Sequence, residues 1–252
     1  MSSARRLLIV NADDFGFTRD VNAGILEAHE RGILTSATLM ATGAAFEDAV
    51  QRARSHPSLD VGCHLVLVGA PGLPESLPEL VAAVAARRLP LRDILRAQVE
   101  KILGAGLQPT HVDTHKHTHL LPWIFRAVAQ VAGEFGIRWV RRPLPLPGVD
   151  SLAGRILSRY GLRMTDHFAG FRLTGRLGVP QLVHLIRRLP TGLTELMCHP
   201  GRCGEELRRA PTRLKESREQ ELAALTAPEV REALASSGVR LVSFRDVEVP
   251  EA

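Results

Sequence analysis

The chain has 252 residues, of which 45% are hydrophobic and 23% are charged, and its formal net charge is +5. A chain of this length and balance can bury its own core, so its folding needs neither disulfides nor a structural metal. Three cysteines without a CxxC pair argue against a disulfide framework and a cysteine zinc site, and the few aromatic residues (8 Phe, 2 Trp, 1 Tyr) argue against nucleic-acid binding.

The amino-terminal sequence does not have the pattern of an export signal. Its apolar run at residues 7–10 stops at Asn11, whereas a signal peptide needs roughly 7 to 15 apolar residues. No apolar stretch approaches the roughly 18 residues of a membrane span, and the longest, at 81–86, ends at Arg87. We expect a cytoplasmic protein with no membrane span and no nucleic-acid partner.

Strand-like apolar runs alternate with amphipathic helical segments along the chain. Strands are predicted at 7–11, 37–41, 59–67, 110–114, 137–140, 193–198 and 239–244. Helices are predicted at 20–31, 45–54, 79–88, 91–103, 123–134, 181–188 and 215–235. The segment 151–178 has no clear pattern, and the charge run at 205–219 is predicted to be a solvated surface.

Repeated strand and helix units predict an α/β fold with a parallel sheet covered by helices. About seven or eight strands in a chain of this length favour an irregular (β/α) barrel over an open sheet. We expect a single catalytic domain over residues 1–252, because no linker-like stretch divides the chain. The oligomeric state stays open, and a homo-oligomer is compatible with the sequence.

Asn11 ends the first predicted strand, and Asp13 and Asp14 follow directly after it. Ligands bind at the carboxyl ends of parallel strands, so this position is where chemistry is expected. Two adjacent carboxylates repel each other unless a cation or hydrogen-bond donors compensate them. A metal bound by one would leave the other free as a base. A helix cap and turn is the alternative, because Asp and Asn favour both.

His64 lies within an aliphatic predicted strand, with Gly62 on the same face of that strand. A glycine there indicates that a ligand approaches the backbone closely. The alternative is a core histidine whose ring nitrogens are satisfied by hydrogen bonds.

Four histidines lie within residues 111–119, at positions 111, 115, 117 and 119. If the backbone is extended, all four point to one side together with Asp113. Divalent metals bind neutral imidazoles, and nearby carboxylates orient the ligating rings. This segment therefore predicts a metal site, against the alternative of a histidine-rich surface loop.

His199 follows a late predicted strand and precedes Pro200 and Gly201. A histidine at this place could give a proton to a leaving group, and capping of the turn is the alternative. Arg141 and Arg142 follow the fifth strand and could clamp a substrate phosphate or carboxylate. A solvated arginine pair is the alternative.

Asp14, His64 and His115 together would make a set of two histidines and one carboxylate with positions left for water and substrate. A metal at such a site polarises a carbonyl oxygen and lowers the pKa of bound water. With Asp13 as the base and His199 as the acid, the set predicts a metal-assisted hydrolase of an amide or ester.

Several ordered motifs resemble the YdjC/ChbG-like carbohydrate deacetylase family. They are LIVNADDFG at 8–16, NAGI at 22–25 with GILTSAT at 32–38, GCHL at 62–65, HVDTHKHTHLLP at 111–122 and ELMCHPG at 195–201. The resemblance implies a distorted barrel like that of polysaccharide deacetylases. It also implies a divalent metal, usually described as Mg²⁺, and removal of an N-acetyl group from an amino sugar, best known for chitin-derived disaccharides and their phosphorylated forms. Zn²⁺ or Mn²⁺ would also suit the predicted ligands.

The same resemblance places the metal ligands at Asp14, His64 and His115 and the catalytic carboxylate at Asp13. We assign His199 as the general acid, His117 to support of the metal ligands and His119 to substrate contact. Cys63 departs from the apolar residue expected beside His64, and the chain after Gly148 matches poorly apart from the DHF at 166–168. A branch associated with hopanoid biosynthesis shares the paired Asp and the His-Lys-His, and its substrate is different or unknown.

Two other functions fit the same ligands. The first is a metal-binding protein without turnover, for which Cys63 and Cys198 beside two site histidines would provide redox sensitivity. The second is a metal-dependent sugar isomerase on the same barrel. The expected partner of the deacetylase and of the isomerase is a small carbohydrate.

Overall fold

A computed structural model describes residues 5–144 and 148–247 of the chain. The strands are β1 (Arg6–Phe15), β2 (Ser36–Leu39), β3 (Asp60–Leu65), β4 (His111–Thr114), β5 (Trp139–Val140), β6 (His167–Ala169), β7 (Gly192–Cys198) and β8 (Val239–Leu241). The helices are α1 (Arg19–Arg31), α2 (Phe46–Ser55), α3 (Leu77–Ala85), α4 (Leu91–Gly104), α5 (Pro122–Glu134), α6 (Val149–Ser158), α7 (Val179–Arg187), α8 (Glu205–Arg209), α9 (Glu216–Thr226) and α10 (Pro228–Ser237). Two 3₁₀ helices span His115–Leu120 and Phe171–Leu173.

All paired strands are parallel, in the order β5-β4-β3-β2-β1-β7-β6, and β8 pairs with the first residues of β1. A parallel bridge between Trp139 of β5 and Arg163, just before β6, brings the two edges of the sheet together. The sheet is thus an incomplete barrel covered by helices, which confirms the predicted α/β fold and irregular barrel. None of the described helices is long and apolar enough to cross a membrane.

The interior of the barrel changes from apolar to polar along the strands. Ile9, Trp139, Leu193, Val242 and Phe244 form an apolar cluster near the amino ends. Strand residues alternate between the interior and the helices, so every second residue of a strand points into the barrel. Toward the carboxyl ends of the strands, the residues at these interior positions are charged. The polar layer therefore lies on an apolar floor and opens at the carboxyl ends of the strands.

Several predicted elements differ from the structure. β1 continues to Phe15, so Asp13 and Asp14 lie within the strand rather than after it. β4 ends at Thr114, and the 3₁₀ helix that follows has left-handed backbone at Lys116 (φ 52°) and His117 (φ 53°). The extended arrangement considered for residues 111–119 is therefore wrong beyond Thr114, and the histidines do not all share one face.

The carboxyl-terminal half also shows differences. The segment 151–178, which had no clear pattern, contains most of α6, all of β6 and the second 3₁₀ helix. The single helix predicted at 215–235 is divided into α9 and α10 at Pro228, which starts α10 because it has no backbone N–H to donate. The charge run at 205–219 is not all solvated, since Arg218 is buried.

Candidate active site and metal centre

Asp14, His64 and His115 come together at the carboxyl ends of β1, β3 and β4. His64 Nε2 lies 3.4 Å and His115 Nδ1 lies 3.2 Å from Asp14 Oδ1, and the two ring nitrogens are 3.2 Å apart. Ligand atoms about 2.1 Å from one cation are separated by about 3.0 Å in octahedral and about 3.4 Å in tetrahedral geometry. The three atoms therefore have the spacing of ligands to a single divalent ion.

The charge of this region also suits a cation. Asp14 Oδ1 is buried and has no hydrogen-bond partner among the described residues. Even without Glu195, whose pKa is raised by burial, the buried carboxyl groups of Asp13, Asp14 and Asp113 outnumber the buried guanidinium groups of Arg141 and Arg218. Burial alone would lower the pKa of His64, but the neighbouring carboxylates of Asp113, Asp14 and Asp13 raise it to about 10. The same negative potential that favours a proton on His64 favours a metal ion in its place.

Asp113 fixes the orientation of the His64 ring. The two residues are cross-strand partners on β3 and β4, and His64 Nδ1 lies 2.6 Å from Asp113 Oδ1. A proton on Nδ1 donated to this carboxylate leaves Nε2 free to face Asp14 and His115. Thr38 Oγ1 donates to the second oxygen of Asp113 at 3.1 Å, which holds the carboxylate in turn.

Gly62 is explained by the packing of His111 and not by a bound ligand. A Cβ at position 62 would lie 2.5 Å from the carbonyl oxygen of His111 and 2.7 Å from its ring. The glycine therefore permits close packing of β3 on β4, and the expected approach of a ligand at this point is wrong.

Arg141 connects the carboxylates beneath the site. Its Nη1 and Nη2 donate to the two oxygens of Asp13 at 2.8 and 2.7 Å, and Nε donates to Glu195 at 2.7 Å. Nη1 also lies 2.6 Å from Asp113 Oδ2. Burial would raise the pKa of Asp13, but the charge and hydrogen bonds of Arg141 hold it well below its ordinary value. Asp13 is therefore a fixed, ionised carboxylate.

A second set of three groups, Asp13, His64 and Asp113, is also close enough to hold an ion. Arg141 bonds to both carboxylates of this set, so a guanidinium group already supplies the compensating charge. The set of Asp14, His64 and His115 is the better candidate.

The structure does not fit the expected clamp on a substrate anion. The side chain of Arg141 is 1% exposed and bonded to three carboxyl groups. Arg142 donates to the carbonyl oxygen of Thr165 at 2.9 Å and forms an ion pair with Asp150 at 2.8 Å. Arg141 holds the site together, and Arg142 ties β5 to α6.

His199 follows β7 and lies beside Asp13. Its Nε2 is 3.9 Å from Asp13 Oδ2, and its Nδ1 is buried without a hydrogen-bond partner among the described residues. The backbone N–H of His199 donates to Glu221 at 2.6 Å. The predicted acid is thus next to the predicted base, on the opposite side of the barrel from β4.

The roles assigned to His117 and His119 do not match their positions. His119 is 2% exposed, and its Nδ1 lies 2.8 Å from Thr114 Oγ1, so its side chain is not placed to touch a substrate. His117 is half-buried and packs edge-on against Phe171, with ring centroids 4.8 Å apart. Burial and the charge of Arg141 lower the pKa of His117 to about 3, so it presents a neutral ring.

Sequence reasoning missed Arg218 and Glu221 of α9. Arg218 Nη2 lies 2.5 Å from Asp14 Oδ2, and Glu221 accepts the N–H of His199. Both belong to the buried face of α9, next to Leu222 and Leu225. Charged residues on the buried face remove the amphipathic pattern that identifies a packed helix. The one signal in the sequence is that two opposite charges lie three residues apart, and this spacing is also common on exposed helices.

Comparison with known proteins identifies the family of the chain and agrees with the fold. The profile of the YdjC-like protein family matches residues 7–236. A carbohydrate deacetylase from Geobacillus stearothermophilus is 39% identical over 96% of this chain and 98% of its own length. One from Brevibacillus brevis is 34% identical over 95% of this chain and 99% of its length. The crystal structure of a proposed cellobiose-phosphate cleavage protein from Enterococcus faecalis V583 superposes with a TM-score of 0.83 at 26% identity, covering 97% of this chain and 100% of that one. The chain therefore belongs to the YdjC-like family.

Proposed function

We propose that this protein is a metal-dependent hydrolase that removes the N-acetyl group from an amino sugar or a small chito-oligosaccharide. The observation that carries the proposal is the convergence of Asp14, His64 and His115 within 3.4 Å of one another, with the ionised carboxylate of Asp13 in the neighbouring position of β1. The carbohydrate deacetylases among its relatives support the choice of substrate class.

Asp14, His64 and His115 would hold the divalent cation, which when bound polarises the acetyl carbonyl and makes water a better nucleophile. Two imidazoles and one carboxylate suit Zn²⁺ or Mn²⁺, whereas Mg²⁺ prefers oxygen ligands and is suggested by family resemblance. Metal analysis of the purified protein, together with the activity restored by each ion after chelation, distinguishes them.

Asp13 would accept the proton of the attacking water. Arg141 keeps this carboxylate ionised and fixes both of its oxygens, so its position needs no adjustment during the reaction. A carboxylate whose pKa is held low is a weak base. Asp13 would therefore act as a base only toward a water made more acidic by the cation that Asp14, His64 and His115 would hold.

His199 would donate a proton to the amine as the C–N bond of the amide breaks. Water supplies the oxygen of the acetate, and the amino sugar leaves with the proton from the histidine. The rings of His117 and Phe171 form a half-buried wall, against which the apolar face of a sugar can pack.

The structure weakens the redox-sensing alternative. Cys63 and Cys198 are both buried, and burial raises the pKa of each thiol above its ordinary value. Reactive cysteines need the thiolate and access to solvent. These two thiols are therefore packing residues of β3 and β7.

The proposal is tested by acetate release from N,N′-diacetylchitobiose with and without a chelator. We expect release that the chelator stops and that Asp13→Asn and His115→Ala abolish. The matched control is His184→Ala, an exposed histidine of α7, which should keep wild-type activity. Full activity in both site variants would overturn the assignment. Product mass separates deacetylation, which removes an acetyl group, from isomerisation, which conserves mass.

A further inference from the structure

Helix α9 lies on the outside of the barrel but sends two charged side chains into the site. Arg218 and Glu221 are three residues apart, so they share one face of the helix. Each is 1% exposed. Burying a charged side chain is costly unless it is paired, so what each of them pairs with indicates why it is there.

Arg218 is held at its backbone, Nε and Nη2, while its Nη1 is buried without a hydrogen-bond partner among the described residues. Its Nε donates to the carbonyl oxygen of Leu214 at 3.2 Å, and its own carbonyl oxygen accepts the N–H of Gly201 at 3.2 Å. A Cβ at Gly201 would lie 3.0 Å from the Cδ of Arg218, so the glycine leaves room for the side chain. The end of the side chain reaches one oxygen of one residue, Asp14 Oδ2, at 2.5 Å.

The two oxygens of Asp14 thus have different surroundings. Oδ2 is taken by the guanidinium group, while Oδ1 faces His64 and His115. We infer that Arg218 makes Asp14 a one-oxygen ligand and offsets part of its charge, so that the site holds its cation more weakly but leaves positions open for substrate. This inference rests on the proposed function.

Glu221 positions the other half of the site. It accepts the N–H of His199 at 2.6 Å and the N–H of Gly175 at 3.0 Å. It therefore fixes the backbone of the proposed acid, whereas Arg218 fixes a metal ligand. Both are positioning residues, so α9 connects the half of the site that holds the metal ligand with the half that holds the proposed acid.

The test is the binding of Co²⁺, measured by isothermal titration calorimetry and visible absorption, in wild type and α9 variants. Arg218→Met removes a positive charge close to the cation, so we expect Co²⁺ to bind about tenfold more tightly or better. The visible absorption of bound Co²⁺ should fall, because Asp14 would bind through both oxygens and raise the coordination number of the ion. We also expect a lower kcat. Damage to the fold would instead weaken binding, so the direction of the change separates positioning from structural loss.

Three further variants complete the test. Arg218→Lys keeps the charge and should keep the wild-type affinity, which covers the case in which Arg218→Met does not fold. Glu221→Gln should lower kcat and leave Co²⁺ affinity and absorption unchanged. Glu216→Gln, on the exposed side of the same helix, is the control and should change none of these.

The outcomes are distinguishable from failure of the proposed function. If wild type binds no Co²⁺, the metal site itself is refuted. If wild type binds Co²⁺ but Arg218→Met binds it with the same or a lower affinity, the inference about Arg218 is overturned. It is also overturned if Arg218→Lys binds Co²⁺ about tenfold more tightly than wild type. If Glu221→Gln alters the absorption, the separate role of Glu221 is overturned.

Discussion

Glu195 gives the buried polar layer a pH dependence that can be measured without substrate. This residue is 1% exposed on β7, its Oε1 accepts from Arg141, and its Oε2 has no hydrogen-bond partner among the described residues. Burial and the charges of Asp113 and Asp13 raise its pKa from 4.5 to about 7, although Arg141 opposes the shift. The folded state therefore keeps a proton on Glu195 over a pH range in which the unfolded state has released it.

Proton linkage sets the direction in which the stability changes with pH. Between pH 4.5 and about 7 the folded state binds more protons than the unfolded state, so the free energy of unfolding falls as the pH rises. One pKa unit corresponds to about 1.4 kcal/mol, so Glu195 contributes a loss of about 3 kcal/mol between pH 4.5 and 8. Glutamine resembles the protonated carboxyl group and does not titrate. Glu195→Gln should therefore lack this loss.

The assay is urea unfolding of wild type and Glu195→Gln at pH 5, 6, 7 and 8, with chelator present. The difference in unfolding free energy should shift by about 2 to 3 kcal/mol in favour of the variant from pH 5 to pH 8. Titrating groups distant from Glu195 contribute equally to both proteins and cancel. Glu229→Gln, at the start of α10, is the control and should follow wild type. A difference that stays constant with pH would refute the reasoning.

Three further predictions concern the same layer. Arg141→Met leaves three buried carboxyl groups without their partner, so urea unfolding at pH 7 should show a loss of about 3 to 5 kcal/mol; a loss below 1 kcal/mol would mean that these pairs do not hold the barrel together. Asp113→Asn replaces the charged acceptor that orients His64 with a neutral amide, and calorimetric titration should show metal affinity about 10- to 100-fold lower; unchanged affinity would contradict that role. Chelation should lower the melting temperature of wild type, since an ion at 100 times its Kd stabilises the folded state by about 2.7 kcal/mol. His115→Ala should melt equally with and without metal, and the same result in wild type would argue against a bound ion.

The sequence predicts the barrel and the metal ligands for a physical reason. Buried parallel strands are continuous apolar runs, and the polar residues that interrupt them at the carboxyl ends stand out. Asp14, His64 and His115 are of this kind. Their convergence follows from the topology, since β1 and β3 flank β2 and β4 pairs with β3.

The groups that support those ligands are less readable. The partners of Arg141 lie on β1, β4 and β7, and its role depends on the register of strands far apart in the chain. The positions of His117 and His119 differ from the expected ones because of the left-handed turn after His115, where two consecutive non-glycine residues adopt positive φ. Arg218 is hidden because a buried charge and a solvated charge look the same in a sequence.

The central claim is that one cation binds between β1, β3 and β4. The most direct measurement is anomalous X-ray scattering from crystals of the protein grown with Zn²⁺ or Mn²⁺, recorded at the absorption edge of that metal. We predict one strong peak within bonding distance of Asp14 Oδ1, His64 Nε2 and His115 Nδ1. A peak elsewhere, or none at these atoms in fully loaded crystals, would contradict it.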